Sequence, residues 1–143
     1  MKKLVLFLGV VYVMLACKGS NQQRTINVKI GDKGPGGGIV FHIEGDKAWE
    51  ISDKLGDREW ADAKALCKEY RGGGFDNWYL PSKDELSKVY HALAYTRIIK
   101  DSDMYWSSSL DSSDEAFVMH FSDGNPYSYL TNSVFGVRAV RNF

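Results

Sequence analysis

The chain has 143 residues with 18 basic and 18 acidic side chains, three histidines and two cysteines. That length suits one domain with a real core. The balanced charge excludes the basic stripe by which nucleic-acid binders grip phosphates. Four tryptophans, eight tyrosines and seven phenylalanines supply the largest apolar contribution open to so small a core.

Residues 1–16 read as a lipoprotein signal peptide: Lys2-Lys3, an apolar run from Leu4 to Ala16, then Cys17. A membrane-spanning helix needs roughly 20 apolar residues, so this run is too short to remain as an anchor. Its ending, Met14-Leu15-Ala16-Cys17, resembles the bacterial lipobox, which implies a lipidated Cys17. The alternative is an ordinary cleaved leader with a chance cysteine. Lipid on Cys17 leaves Cys67 without a disulfide partner, so packing must hold the domain. Residues 17–30 then form the lipidated cysteine and a polar tether. The expected location is the bacterial envelope, anchored in the membrane by lipid. Lys18 is not the aspartate that retains some bacterial lipoproteins at the inner membrane, which favours the outer membrane or the cell surface.

The domain spans residues 31–143. Gly31 to Gly38 is a glycine-rich turn region whose triplet register fails too early for collagen, and which lacks the ending of a phosphate loop. Ile39, Phe41 and Ile43 alternate as a strand, and Gly45-Asp46 turns the chain into a second strand over 47–52. Asp57 can cap a helix over 58–70, with Trp60, Ala63, Leu66, Cys67 and Tyr70 as its apolar stripe. Gly72-Gly73-Gly74 ends it, and an aromatic loop follows over 75–81. A second helix starts at Ser82, with Glu85 at capping-box spacing and Leu86, Val89, Tyr90 and Leu93 on one face. Strands are expected over 104–110, 116–122, 126–130 and 135–141, with Asp123-Gly124 as a hairpin turn. Helices segregated from strands indicate an α+β domain: two helices packed on a small twisted antiparallel sheet.

Chemistry-bearing residues are sparse. Ser107-Ser108-Ser109 lacks the glycine flanks of a nucleophile elbow, and His42, His91 and His120 lie in no nucleophile context. No paired Cys/His spacing predicts zinc. Asp101, Asp103, Asp111, Asp114 and Glu115 are dense enough to raise a calcium site, although acidic loops are commonly just solvated. Cys67 reads as a buried structural thiol, and Trp60 and Trp78 as core. Strand alternation brings some of the aromatics around 105–129 outward, beside Asp and Asn. The expected ligand surface is therefore Tyr105, Trp106, Asp111, Asp114, Asp123, Asn125 and Tyr127.

One succession of residues is specific. It runs Trp60-x2-Ala63-x3-Cys67, then Trp78-Tyr79-Leu80-Pro81-Ser82-Lys83-x-Glu85-Leu86, then Tyr105-Trp106-Ser107-Ser108-Ser109. It closes on Gly136-Val137-Arg138-x-Val140-Arg141. This resembles the Lcl C-terminal domain family, a bacterial domain of unknown function named after a collagen-like adhesin. The resemblance implies a C-type-lectin-like fold. The closing motif is also similar to the last strand of the formylglycine-generating enzymes, whose redox cysteines have no counterpart here. The calcium and sugar motifs of true C-type lectins are absent as well. The expectation is a non-enzymatic, lipid-anchored binding or adhesion module with a glycan or protein ligand, no cofactor, no metal and no nucleic acid. The alternative is a structural envelope lipoprotein packed against another envelope component, with a formylglycine-generating activity a distant third.

Overall fold

A computed structural model describes residues 26–96, 99 and 103–143. The leader, Cys17, the first part of the tether and Asp101 lie outside the described residues. The architecture is α+β, with eight strands in two sheets and two α-helices among the described residues.

Strands β1 (Ile39–Glu44) and β2 (Lys47–Ile51) form the expected hairpin. Glu44 faces Lys47 across Gly45-Asp46, and Gly45 takes φ 60°, the left-handed value that this turn demands. Strand β8 (Val140–Asn142) adds to β2, completing a three-stranded sheet in the order β1-β2-β8.

The second sheet holds β3 (Gly56–Arg58), β4 (Met104–Leu110), β5 (Glu115–His120), β6 (Asn125–Leu130) and β7 (Phe135–Val137), in the order β3-β7-β4-β5-β6. Its pairings are antiparallel except β4 with β7, which meet in parallel at Tyr105 and Gly136. The single antiparallel sheet of the sequence reading is thus two sheets, one of them mixed.

The expected strand over 135–141 divides because the chain changes sheets at Arg138-Ala139. Ser52 fixes that crossing: its N–H donates to the Ala139 carbonyl at 2.8 Å, and its hydroxyl accepts the Ala139 N–H at 2.9 Å. Arg138 Nη1 donates to the Ser52 carbonyl at 2.9 Å.

Helix α1 spans Trp60–Glu69, and its N-cap is Glu59, which makes no side-chain cap bond. Asp57 does not cap it. Asp57 lies in β3 opposite Gly136, so pairing with β7 has overridden the local capping preference. Two indole N–H groups lock this corner: Trp60 donates to the Ser107 carbonyl and Trp106 to the Arg58 carbonyl, both at 2.8 Å.

Helix α2 (Lys83–Leu93) starts as its sequence dictates. Ser82 Oγ accepts the Glu85 N–H at 3.1 Å, and Glu85 Oε2 accepts the Ser82 N–H at 2.9 Å.

The helices cover opposite faces of the five-stranded sheet. Leu86, Val89 and Leu93 of α2 pack with Tyr105 and Met119, whereas Ala63 and Cys67 of α1 pack with Trp106 and Val118. Tyr105 and Trp106 are neighbours on β4, and so are Val118 and Met119 on β5, so each pair sends one side chain to each core. A sheet covered on both faces leaves its central strands no wet side.

Candidate functional site

The sequence-derived surface does not assemble. Tyr105 and Trp106 are both 0% exposed, so neither reaches a soluble ligand. Helices α1 and α2 pack on the two faces of β4 at these residues, whereas Tyr127 on β6 does face outward as alternation suggests. Asp111 and Asp114 lie in the β4–β5 turn, while Asp123 lies in the β5–β6 turn and Asn125 and Tyr127 open β6. The length of β5 separates Asp111 and Asp114 from Asp123 and Asn125, roughly 17–20 Å at strand rise, while Tyr127 sits opposite Val118 with its hydroxyl turned to Asp123. The seven residues of β4 part Asp103 from Asp111. Among the described residues no three His, Cys, Asp or Glu side chains gather as a metal site.

The β5–β6 end has its own polar cluster. Asp123 accepts the Asn125 N–H at 2.9 Å and the Tyr127 hydroxyl at 2.8 Å. Those bonds, the backbone one first, hold its carboxyl below the ordinary aspartate value. Ser122 and His120 stand beside it, but His120 Nδ1 is 3.8 Å from the carboxylate, beyond hydrogen-bond range. A nearby cavity of about 460 Å3 contains Lys54, whose ammonium bonds Asp103 at 2.6 Å and Asp57 at 2.9 Å. The Asp103 bond, then the Asp57 bond, raises the lysine above its usual value, so it stays a cation and is no candidate base.

The serine run serves structure: Ser107 is 1% exposed, and Ser109 Oγ accepts the first N–H of α2, from Lys83, at 3.0 Å. Cys67 is buried on the α1 stripe as read, and burial pushes its thiol up to about 12. Trp78 is core at 2% exposure, while Trp60 is half-buried under the Lys64 ammonium, 3.6 Å from its ring centroid.

The most built site lies where the sequence reading saw only a turn. Glu50 is 0% exposed in the middle of β2. Its carboxylate accepts the N–H of Gly36 and of Gly38, each at 2.9 Å, and pairs with Arg141 Nη1. Glycine is required for this close approach. A Cβ at Gly36 would stand 2.5 Å from the Trp78 ring, and one at Gly38 would stand 2.6 Å from the Ile51 carbonyl oxygen. Arg141, itself 3% exposed, donates from Nε to Asn77 Oδ1 at 2.8 Å and lies 3.8 Å from the Phe75 ring centroid. Every charge here is paired and hydrogen-bonded, which is the condition for keeping ions out of water.

This network walls a cavity of about 630 Å3. Phe75, Phe143 and Pro35 give it an apolar lining, and Asn27, Asp46, Asn77, Arg141 and Asn142 line it as polar groups. A mostly apolar hollow of that size with a few fixed polar groups is the usual form of a ligand site. A second cavity of about 530 Å3 adjoins it, with Asn77 lining both.

Sequence reasoning passed over Glu50, Arg141 and Asn77 as site residues. The available signal was a charged residue inside an apolar strand, Ala48-Trp49-Glu50-Ile51, with an arginine in the closing strand to answer it. No helix among the described residues is long and apolar enough to cross a membrane. A comparison with curated proteins gives no match. The family model of the Lcl C-terminal domain matches residues 38–141, from the last glycine of the carboxylate cradle to the arginine that answers Glu50, and the chain therefore belongs to that family.

Proposed function

We propose that this protein is a lipid-anchored module of the bacterial envelope that binds a ligand in the Phe75–Phe143 cavity and catalyses no reaction on it. The observation that carries the reading is the wall of that cavity. The Glu50–Arg141 pair and the two glycine amides pin the Phe75–Asn77 loop against β8, so the site is formed before any ligand arrives. Ile26 and Val28 also line the cavity. The module is read as a C-type-lectin-like domain held at the outer membrane or cell surface, with a glycan or protein as ligand. The binding surface is placed at this cavity because its residues converge, whereas Asp111 and Asp114 stand a strand's length from Asp123, Asn125 and Tyr127.

The test has two arms. Labelled fatty acid fed to cells enters the protein and is lost in Cys17→Ala; incorporation that survives the substitution removes the anchor. Glycan and protein arrays probed with the protein give binding that Phe75→Ala and Phe143→Ala abolish. Binding that persists in both variants removes the cavity from the reading, and a single stoichiometric envelope partner recovered by crosslinking in cells favours the structural alternative.

A further inference from the structure

We infer that β6 is a self-pairing edge: a second copy of this chain lays its own β6 antiparallel to the first, about a two-fold axis at Ser128. The inference is independent of the cavity and starts from the backbone groups that the sheet leaves over. β6 is the last strand in the order β3-β7-β4-β5-β6, and it pairs with β5 alone. Just beyond the ladder, the Thr131 N–H donates to the Asp114 carbonyl at 2.8 Å. On the other side of β5, the Phe121 N–H donates to the Asp103 carbonyl at 3.1 Å. Antiparallel alternation therefore turns the backbone groups of Asn125, Tyr127 and Tyr129 toward β5, and those of Pro126, Ser128 and Leu130 to the open side. Proline at 126 agrees with that phase, because its missing N–H then takes nothing from the ladder.

The groups on that side form a self-complementary set. Among the described residues no backbone bond uses the N–H or carbonyl of Ser128, the N–H of Leu130 or the carbonyl of Pro126. The Leu130 carbonyl is taken, since it accepts the Ser133 N–H at 2.9 Å. A copy of the same edge centred on Ser128 uses the whole set. The two Ser128 residues exchange both bonds, and each Leu130 N–H reaches the carbonyl of Pro126 of the partner subunit. The donor that Pro126 lacks would have faced the Leu130 carbonyl, which Ser133 already fills. Moving the axis to Tyr127 or Tyr129 keeps only half of these bonds within the strands.

The side chains fit the same register. Pro126 meets Leu130 of the partner subunit, and Tyr127 meets Tyr129 of the partner subunit, apolar against apolar and ring against ring. Pro126, Tyr127 and Leu130 are exposed in the single chain, Tyr127 by 41% and Leu130 by 49%. Residues 125–131 read Asn-Pro-Tyr-Ser-Tyr-Leu-Thr, so no like charges face each other across the axis. Exposed edges are commonly blunted by lysine or by a bulge. β6 has neither, and its register against β5 is unbroken. A strand of six residues makes a small contact, which suits copies concentrated on one membrane better than copies in dilute solution.

The experiment is oxidative crosslinking of the full chain in intact cells, with copper phenanthroline as oxidant and a non-reducing gel as readout. Ser128→Cys is the reporter, because residues in a hydrogen-bonded antiparallel pair lie about 5.5 Å apart at Cα, within disulfide reach. The unaltered chain gives the background from Cys17 and Cys67, and Asp111→Cys, on an exposed turn, gives that from random collision. At equal protein level, Ser128→Cys is expected to yield a band of doubled mass roughly ten-fold stronger than Asp111→Cys. Two further variants of that reporter test the register. Pro126→Glu with Leu130→Glu sets like charges opposite at both ends and should cut the yield about ten-fold, whereas Pro126→Lys with Leu130→Glu sets opposite charges there and should restore it. Both positions are exposed and both variants lose the proline, so folding does not separate them. A yield from Ser128→Cys no greater than from Asp111→Cys overturns the inference, and so do equal yields from the two charge variants. An adduct of another mass with no doubled band overturns the second copy as the occupant of this edge.

Discussion

Two carboxylates in this molecule each hold a loop, Glu50 by accepting two backbone N–H groups and an arginine, Asp123 by accepting one backbone N–H and a phenol, yet they are opposites in setting. Glu50 is sealed in the interior, and its partners lie 12, 14 and 91 residues away in the chain. Asp123 stands in solvent, and its partners are two and four residues away. The bonds from backbone N–H groups are equal in length, 2.9 Å in each case. What differs is what replaces the bond when it is lost. Water takes over at Asp123, whereas nothing takes over at Glu50. Burial and sequence separation, more than hydrogen-bond geometry, therefore separate a carboxylate that holds two strands and a loop together from one that trims a hairpin.

The sharpest way to break this contrast is Glu50→Ala. It leaves Arg141 as a buried cation without a counter-charge and frees two buried glycine amides, so we expect a loss of about 3–5 kcal/mol. The measurement is the denaturant midpoint at unchanged slope. Replacing both ions, Glu50→Gln with Arg141→Met, should recover much of the loss, because the penalty belongs to the orphaned charge. A smaller effect is expected from Gly38→Ala. Its Cβ meets a backbone carbonyl oxygen at 2.6 Å, and backbone cannot swing aside. Overpacking of this kind costs about 1–3 kcal/mol, and the variant should also weaken ligand binding by displacing the cavity wall.

These two effects mark how far the sequence could be read. The hairpin at Gly45-Asp46, the capping box at Ser82 and the apolar face of α2 were all legible, because each is decided within about eight residues of chain. The α+β class followed from the same local patterns. Asp57 misled for that very reason: it has the local marks of a cap, and a β7 strand nearly 80 residues away claimed it instead. Tyr105 and Trp106 misled because alternation reports that neighbours point to opposite faces, not whether the second face is wet. Glu50 was invisible as a site residue because its meaning lies in Gly36, Gly38 and Arg141, which only the fold brings together.

A third carboxylate grades the comparison. Glu85 is half-buried, accepting the Ser82 N–H through Oε2 and the Tyr79 hydroxyl through Oε1 at 2.6 Å. Glu85→Ala removes half of a capping box, for which about 1 kcal/mol is expected, between the Glu50 and Asp123 cases. It carries an optical signature as well. Burial first, and the bond to Glu85 second, hold the Tyr79 phenol above the ordinary tyrosine value. The variant should lower the phenolate midpoint while leaving it above ordinary, because burial remains.

The smallest effect belongs to Tyr127→Phe, and it tests the solvent side of the contrast. The Asn125 N–H is the larger cause of the depressed Asp123 value and the Tyr127 hydroxyl the next. Removing the hydroxyl should raise the carboxyl midpoint seen by NMR titration without bringing it to the ordinary value. The sign for stability follows from the depression. A folded value below the unfolded one, about 3.9, gives a contribution present above that pH and lost as pH falls through the folded value. At neutral pH, where that contribution is fully present, Tyr127→Phe should lower the melting temperature only slightly, far less than Glu50→Ala. A fall approaching that of Glu50→Ala would show that the hairpin carboxylate bears on the core after all, and that exposure is the wrong measure of what a carboxylate holds.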